Sequence, residues 1–414
     1  MVDVAKVRMF GQNIGTFVWD DSYRVARFEY DNDFVGKGIE PSPIMMPVQQ
    51  GRIYSFGSLN WDTFNGLPGM LADSLPDTYG RALFDQWLTL TGRTTSNPVE
   101  SLCFLGQRCM GALEFEPATG PSSDANMKFE IDTLIDVARQ ALSKKKDFGV
   151  NLDVDRKAAI AEILRLGTSA GGQRAKAIIA YNKKTGEVRS GQISAPEGFD
   201  YYLIKLDGVT AEAGFKATEN FGRLEYSFSE LVKNCGIDMT ECSLIEENGR
   251  AHFLTKRFDR ENGRKIHMQT LCGMAHYDFR LQNGHSYEQA FNVMRRLRLP
   301  YSQAQEMFRR IVFNVVVRNQ DDHTKNISFL MDSSGHWSLS PAYDMGFANP
   351  LGPWTATHQM SINGKFDNIT RADLLSLANA NNIKNASEII DQVCETTAGW
   401  PELAKNCGVP QEMI

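Results

Sequence analysis

The chain opens on alternation. Val7 and Met9 lead through the turn formers Gly11-Gln12-Asn13-Ile14-Gly15 to Phe17 and Val18, and then past Asp20-Asp21 to Val25, Phe28 and Tyr30. Apolar residues at near-alternate positions between Gly, Asn and Asp clusters predict an antiparallel meander. From Leu67 to Leu88 the spacing turns helical after a Pro-rich entry (Leu71, Leu75, Leu83, Phe84, Trp87), and Gly111-Ala-Leu-Glu-Phe115 reads as a returning strand. Residues 1–116 are therefore expected to form a small α+β unit. Pro117 to Lys128 is poor in large apolar residues and rich in turn formers, which marks 117–128 as a linker.

Beyond it, helical patterns occupy Ile131 to Leu142 and Arg156 to Leu164, followed by strand-like runs at Ala175 to Asn182 and Tyr201 to Leu206. The remainder reads as mainly helical, with helices expected at Tyr287 to Leu297, Ser302 to Arg318, Arg371 to Ala380 and Ala386 to Thr396. A length of 414 residues with 42% apolar content is enough for two or three units with real cores. Formal net charge is -6, so there is no global positive field to hold a phosphate backbone, and any DNA binding must be local or borrowed from a partner. The seven cysteines include no Cys-x-x-Cys pair and read as reduced, mostly buried thiols. The first residues lack a long apolar core and the strongest apolar run, Ile311 to Val317, is short and interrupted by Asn314, so a cytoplasmic protein without a membrane partner is expected.

The chemistry concentrates after that run. Phe308, Ile311, Val312, Val315 and Val316 share a helical face, and Asn319 to Asn326 then crowds two carboxylates, an imidazole, an ammonium and several amides before the apolar strand Ile327 to Leu330. Asp321 and Asn326 are separated by four residues, the spacing of a kinase catalytic Asp and its metal-binding Asn. Phosphoryl transfer needs a carboxylate that orients a hydroxyl and an amide oxygen that helps hold Mg²⁺, although plain capped loops share this spacing. After a turn at Ser333-Ser-Gly335 comes Asp344-Met-Gly346, a carboxylate two positions before glycine, which a hairpin would bring back beside Asn326 as a second Mg²⁺ ligand.

Upstream, Gly167-Thr-Ser-Ala-Gly-Gly-Gln-Arg-Ala-Lys176 has glycines (Gly167, Gly171, Gly172) that let backbone amides face an anion, with donors from Thr168, Ser169 and Lys176. It matches neither the Walker A spacing nor Gly-x-Gly-x-x-Gly, and a hairpin tip would look the same. Lys205 ends an apolar strand that would deliver its ammonium to nucleotide phosphates, with Glu225, or alternatively Glu219, as its ion-pair partner. The elements fall in the order glycine loop, strand lysine, helix glutamate, Asp-x4-Asn, Asp-x-Gly, which is the order of a kinase-like site.

Over nearly its whole length the chain resembles the HipA family of bacterial serine/threonine kinases, the toxins of type II toxin–antitoxin modules. The resemblance is carried by Asn65-Gly-Leu-Pro-Gly-Met-Leu-Ala-Asp-Ser-Leu-Pro-Asp77 with Gly80-Arg81, by Leu105-Gly with Met110-Gly-Ala-Leu-Glu-Phe115, by Gly167 to Lys176, by Lys256-Arg-Phe-Asp-Arg260, by Asp321-Asp-His-Thr-Lys-Asn326 and by Tyr343-Asp344. It implies an α+β N-terminal subdomain (1–116) followed by a protein-kinase-like α+β fold over 129–414, with a nucleotide lobe to about 258 and a mainly helical lobe from about 259. It also implies ATP and Mg²⁺ as cofactors, Asp321 as the catalytic carboxylate, Asn326 and Asp344 as metal ligands, and Lys205 on the phosphates. Residues near Thr255 to Phe258, Lys256 among them, would be the hinge that reads adenine, and His323 and Lys325 would hold the loop or neutralise phosphate.

The family further implies autophosphorylation in the glycine loop, where Thr168 and Ser169 are both open as acceptors, and a HipB-like helix-turn-helix antitoxin that supplies DNA affinity. The substrate class it suggests is a protein such as an aminoacyl-tRNA synthetase. A transcriptional corepressor with weak catalysis and a small-molecule kinase are the competing readings. The basic run Arg295, Arg296, Arg298, Arg309 and Arg310 is expected to be a solvated helix face rather than a DNA contact.

Overall fold

The computed structural model describes residues 2–76, 78–90, 92–93, 95–120, 128, 130–131, 135, 174–191, 195–210, 220–348 and 354–414. The expected helices at 131–142 and 156–164, apart from Ile131 and Ile135, and the loop residues Gly167, Thr168, Ser169, Gly171 and Gly172 lie outside the described residues, as does Glu219.

The meander forms as the alternation requires. Strands β1 (Val4–Met9), β2 (Gln12–Asp20), β3 (Val25–Tyr30) and β4 (Ile53–Tyr54) pair consecutively, the turn between β1 and β2 resting on Phe10 and Gly11, both at positive φ. Two positive-φ residues between paired strand ends match the right-handed strand twist. Helices α1 (Trp61–Phe64), α2 (Gly69–Ala72), α3 (Thr78–Leu90) and α4 (Pro98–Leu105) follow, and β5 (Glu114–Glu116) returns beside β1. The continuous helical pattern over Leu67 to Leu88 is thus two helices, interrupted at Ser74-Leu75-Pro76 because Pro76 disfavours helical backbone at the residue before it.

A second sheet, order β7-β6-β8-β10-β9, is built from β6 (Arg174–Asn182), β7 (Glu187–Ser190), β8 (Asp200–Thr210), β9 (Cys242–Glu247) and β10 (Arg250–Lys256). Helix α5 (Phe221–Asn234) packs against β8, β9 and β10, and its Phe228, Leu231 and Val232 are buried in the apolar cluster of the helical lobe. The Asp207 carboxylate of β8 accepts from the backbone N–H groups of Asn220 (2.9 Å) and Phe221 (3.1 Å), so the strand satisfies orphan donors at the helix start and fixes its position. Gly222 lets the helix close on β10, since a Cβ there would stand 1.8 Å from the Ala251 carbonyl oxygen.

Short strands β11 (Arg260–Glu261) and β12 (Arg264–Lys265) make a small hairpin, and β13 (His267–Thr270) leads into α6 (Leu271–Ala275). Then come β14 (His285–Ser286), α7 (Tyr287–Arg296), α8 (Tyr301–Val316), β15 (Ser328–Met331), β16 (Trp337–Leu339), β17 (Met360–Ser361), α9 (Arg371–Ala380), α10 (Ala386–Ala398) and α11 (Trp400–Asn406). A small sheet, β13-β15-β16, takes up the chain directly after the loop that follows α8.

The stretch after Leu206 is less helical than its pattern suggests, because β9, β10 and β13 intervene. The missed signals are the Asn248-Gly249 and Asn262-Gly263 turns, all four residues at positive φ, each joining two paired strands. One buried cluster joins the first sheet to β6 and β8 through Phe17, Phe28, Ala175, Ile179 and Ile204. Another fills the helical lobe around Phe291, Phe308, Ile311 and Leu377. All seven thiols are free, with Cys394 exposed and Cys407 half-buried. Among the described residues no helix is long and apolar enough to cross a membrane.

Candidate active site

Helix α8 delivers a polar loop whose adjacent carboxylates meet opposite fates. Asp322 is buried at 3% exposure and fully engaged: Tyr287 Oη donates to its Oδ2 (2.6 Å), His358 Nδ1 lies 2.8 Å from the same atom, and Gln359 N–H donates to Oδ1 (2.7 Å). The Asp321 side chain keeps 46% exposure, accepts one hydrogen bond from Trp354 Nε1 (2.7 Å) and has His323 Nε2 at 3.8 Å. Asp322 therefore anchors the loop, and Asp321 presents a carboxylate oxygen outward.

Other bonds hold the loop shape. Asn326 Nδ2 donates to the Asp321 carbonyl (2.8 Å), Thr324 Oγ1 donates to the Tyr277 carbonyl (2.7 Å), and Tyr343 Oη donates to the Lys325 carbonyl (2.6 Å). Burial raises the Asp321 carboxyl above its ordinary range, a direction that strengthens a base, and burial lowers the His323 imidazole below its ordinary value.

The β15–β16 hairpin returns the chain to this loop. Asp344, at φ 50°, has its backbone carbonyl held by Asn319 Nδ2 (3.3 Å), and its carboxylate pairs with the Lys205 ammonium. Lys205 also reaches Glu225 of α5 at 3.2 Å, so one ammonium sits between a helix carboxylate and the Asp344 carboxylate. Lys176 lies opposite Lys205 in the β6–β8 register and is buried. Burial opposes charge at Asp344, but Lys205, then Lys176 and His323, outweigh it and hold the carboxyl below its ordinary range.

Asn319, His323, Asn326, Tyr343 and Asp344 line one pocket. The amide oxygen of Asn326 accepts no hydrogen bond among the described residues. That oxygen and the Asp344 carboxylate make a hard donor set of the kind Mg²⁺ takes when phosphates and water complete the shell. Among the described residues there is no group of three or more His, Cys, Asp and Glu side chains that could hold a metal ion.

The structure thus brings together Lys205, Asp321, His323, Asn326 and Asp344, with Lys176 and Glu225 behind them. Lys256 is drawn instead to Asp200 (2.9 Å), and the Phe258 ring lies 5.8 Å from that of Tyr343. Lys325 sits over the Phe279 ring at 4.8 Å. The Arg257-Phe-Asp-Arg260 block does structural work: Asp259, fully buried, is clamped by Arg257 (2.7 and 2.8 Å) and Arg260 (2.9 Å) and accepts from the Gly111 N–H (2.6 Å).

The basic run is only partly a solvated face. Arg310 is buried on Glu306 (2.8 Å), Arg309 reaches Gln392 (2.6 Å), and Arg295 reaches Asn381 (2.7 Å). Trp354 and the anchoring role of Asp322 were absent from the sequence reading. Trp354 carries no local signal, whereas the doublet Asp321-Asp322 on an apolar helix end could have suggested that one of the pair is buried.

The model described as the HipA-like C-terminal domain matches residues 168–400, and the one described as the HipA N-terminal domain matches residues 5–116. The chain belongs to the HipA family. A Haemophilus influenzae relative named "Putative kinase" is 29% identical over 142 residues, covering 30% of this chain and 41% of that protein. A Sinorhizobium fredii relative, "Putative kinase Y4dM", is 28% identical over 204 residues, covering 44% and 49%. The chain spans less than half the length of these curated relatives. Shewanella oneidensis HipA, solved with HipB and its operator DNA, superposes with a TM-score of 0.68 at 18% identity, covering 98% of this chain and 91% of that one. The HipA fold, an N-terminal subdomain followed by a kinase-like part, is therefore the fold of this protein.

Proposed function

We propose that this HipA-family chain is an ATP-dependent protein kinase that phosphorylates serine or threonine. The observation that carries the reading is the Lys205 ammonium between Glu225 and Asp344, with His323 and Asn326 of the loop that carries Asp321 lining the same pocket as Asp344. Asp321 accepts the proton of the incoming hydroxyl as its oxygen bonds to the γ-phosphorus and the bond to the β-γ bridging oxygen breaks, releasing ADP. Lys205 neutralises phosphate charge, and Asn326 and Asp344 would hold Mg²⁺, which supplies charge stabilisation at the transferring group. Lys176, His323 and Lys325 shape the field and the loop, and the 255–258 segment with Lys256 and Phe258 is the adenine hinge.

In this reading the glycine loop, Gly167 to Lys176, binds nucleotide phosphate, with Thr168 or Ser169 as the autophosphorylated hydroxyl. A phosphate there adds about -1.5 to -2 charge and repels nucleotide, switching the enzyme off. The units are 1–116, a linker at 117–128 and a kinase domain at 129–414. A HipB-like antitoxin is the partner, which would bring the DNA affinity that a net charge of -6 does not. The expected acceptor is a translation enzyme of the aminoacyl-tRNA synthetase class, modified in the cytoplasm.

The test is transfer of labelled γ-phosphate to the chain itself and to purified synthetases in the presence and absence of Mg²⁺. Mg²⁺-dependent label on Ser or Thr supports the reading. No label on any protein, with turnover of a small hydroxyl compound instead, would replace it with a metabolite kinase.

A further inference from the structure

The N-terminal unit reaches the loop that carries Asp321. At the end of α2, the Asp73 carboxylate accepts from both donors of Thr270, the backbone N–H (2.7 Å) and Oγ1 (2.8 Å). Thr270 Oγ1 in turn accepts from the Gly273 N–H (3.1 Å), capping α6. The approach is too close for side chains, because a Cβ on Gly69 would stand 2.2 Å from the Gly273 carbonyl oxygen and one on Gly273 would stand 2.1 Å from an Asp73 oxygen. Two further clasps flank it: the Gly69 N–H donates to His276 Nε2 (3.0 Å), and Asn60 Nδ2 donates to Asp278 (2.7 Å).

The same short segment supports the Asp321–Asn326 loop. Thr270 is the register partner of Ser328, Leu271 N–H donates to the Ile327 carbonyl (2.7 Å), and the Tyr277 carbonyl receives Thr324 Oγ1 (2.7 Å). Burial raises the Asp73 carboxyl to about 6, and the nearby Lys325 charge opposes that rise. An ionised carboxylate held by two donors is a strong and directional tether. We propose that Asp73 is a positioning residue of the kinase site: through Thr270 it fixes β13 and the start of α6, which fix both ends of the 324–328 turn, so the N-terminal unit completes the catalytic lobe.

The proposal rests on the kinase reading given above and goes beyond it in assigning the N-terminal unit a part in catalysis. It is tested in the full chain with Asp73→Ala and with Thr270→Val against Thr270→Ser. Two measurements are made: phosphoryl-transfer kinetics, and hydrogen exchange across 319–328. The expected result for Asp73→Ala and Thr270→Val is a kcat lower by on the order of 10²-fold, as for a small misplacement of a reacting group, with KM for ATP nearly unchanged. Exchange in the loop is expected to rise in both, and Thr270→Ser, which keeps the hydroxyl, is expected to restore both readouts. Where Asp73→Ala does not fold, the Val/Ser pair carries the test. Unchanged exchange and unchanged kcat in Thr270→Val would overturn the proposal and leave the kinase reading standing. If the wild-type chain transfers no phosphate, the kinase reading fails, and the exchange measurement still decides whether Asp73 and Thr270 order the loop.

Discussion

The indole N–H of Trp354 donates to Oδ1 of Asp321 across 2.7 Å, joining residues 33 apart in sequence. The bond engages one carboxylate oxygen, leaves the other for the hydroxyl of the proposed reaction, and lowers the carboxyl against the upward pull of burial. Trp354→Phe removes the donor and keeps an aromatic ring. The base must be ionised to act, so losing a lowering influence moves the acid limb of the kcat/KM profile to higher pH. A hydrogen bond to a charged group at ~1.5–3 kcal/mol corresponds to a loss of roughly 10- to 100-fold. A pH–rate profile of the variant checks both.

Asp321 and Asp322 are neighbours with separable roles. Asp322→Ala strands the Tyr287 hydroxyl, His358 and the Gln359 N–H, and is expected to cost on the order of 3 kcal/mol of folding stability, read from urea unfolding. Asp321→Asn, at a half-exposed position, is expected to leave stability within about 0.5 kcal/mol while removing activity.

The Lys205 ammonium serves two carboxylates. Lys205→Met keeps the stem that lies in the sheet but removes the charge facing Glu225 and Asp344. Loss of a preorganised charge on the phosphates is expected to lower kcat by about 10²–10³-fold. Asp344, with its strongest neutralising partner gone, is expected to titrate at higher pH, which NMR of the carboxyl carbon would register.

Asp259 links stability to pH. Burial disfavours its charge, but Arg257 and Arg260 outweigh that and hold its carboxyl far below the ordinary value of 3.8. A depressed folded value means that the stabilisation is fully present above the unfolded pKa and is lost as pH falls through the folded one. Asp259→Asn is expected to cost about 3–5 kcal/mol at neutral pH, since it leaves buried guanidinium charge uncompensated. It should also flatten the dependence of stability on pH below about 4. Urea titrations at several pH values check this.

Short-range features were legible in the sequence. The apolar stripe of α8, the polar loop after it and the Ser333-Ser-Gly335 turn that sends Asp344 back toward Asn326 are all local patterns, and so is a lysine ending an apolar strand with a glutamate one helix later. Contacts between distant segments were not legible. Nothing in the periodicity around Asp73 announces Thr270, 197 positions on, and nothing around Trp354 announces Asp321. The Arg257-Phe-Asp-Arg260 block was visible as a motif, but its work in holding Gly111 appears only when the chain is folded. Strands β9 and β10 escaped because charged residues at their ends blur the alternation, although Asn248-Gly249 marked the turn between them.

The central claim is that Asp321 is the base of a phosphoryl-transfer site shared with Lys205, Asn326 and Asp344. Intact-protein mass spectrometry after incubation with Mg-ATP tests it most directly. The wild-type chain is expected to gain one phosphoryl group, and Asp321→Asn, equally folded, to gain none. Equal phosphate uptake by the two would contradict the assignment.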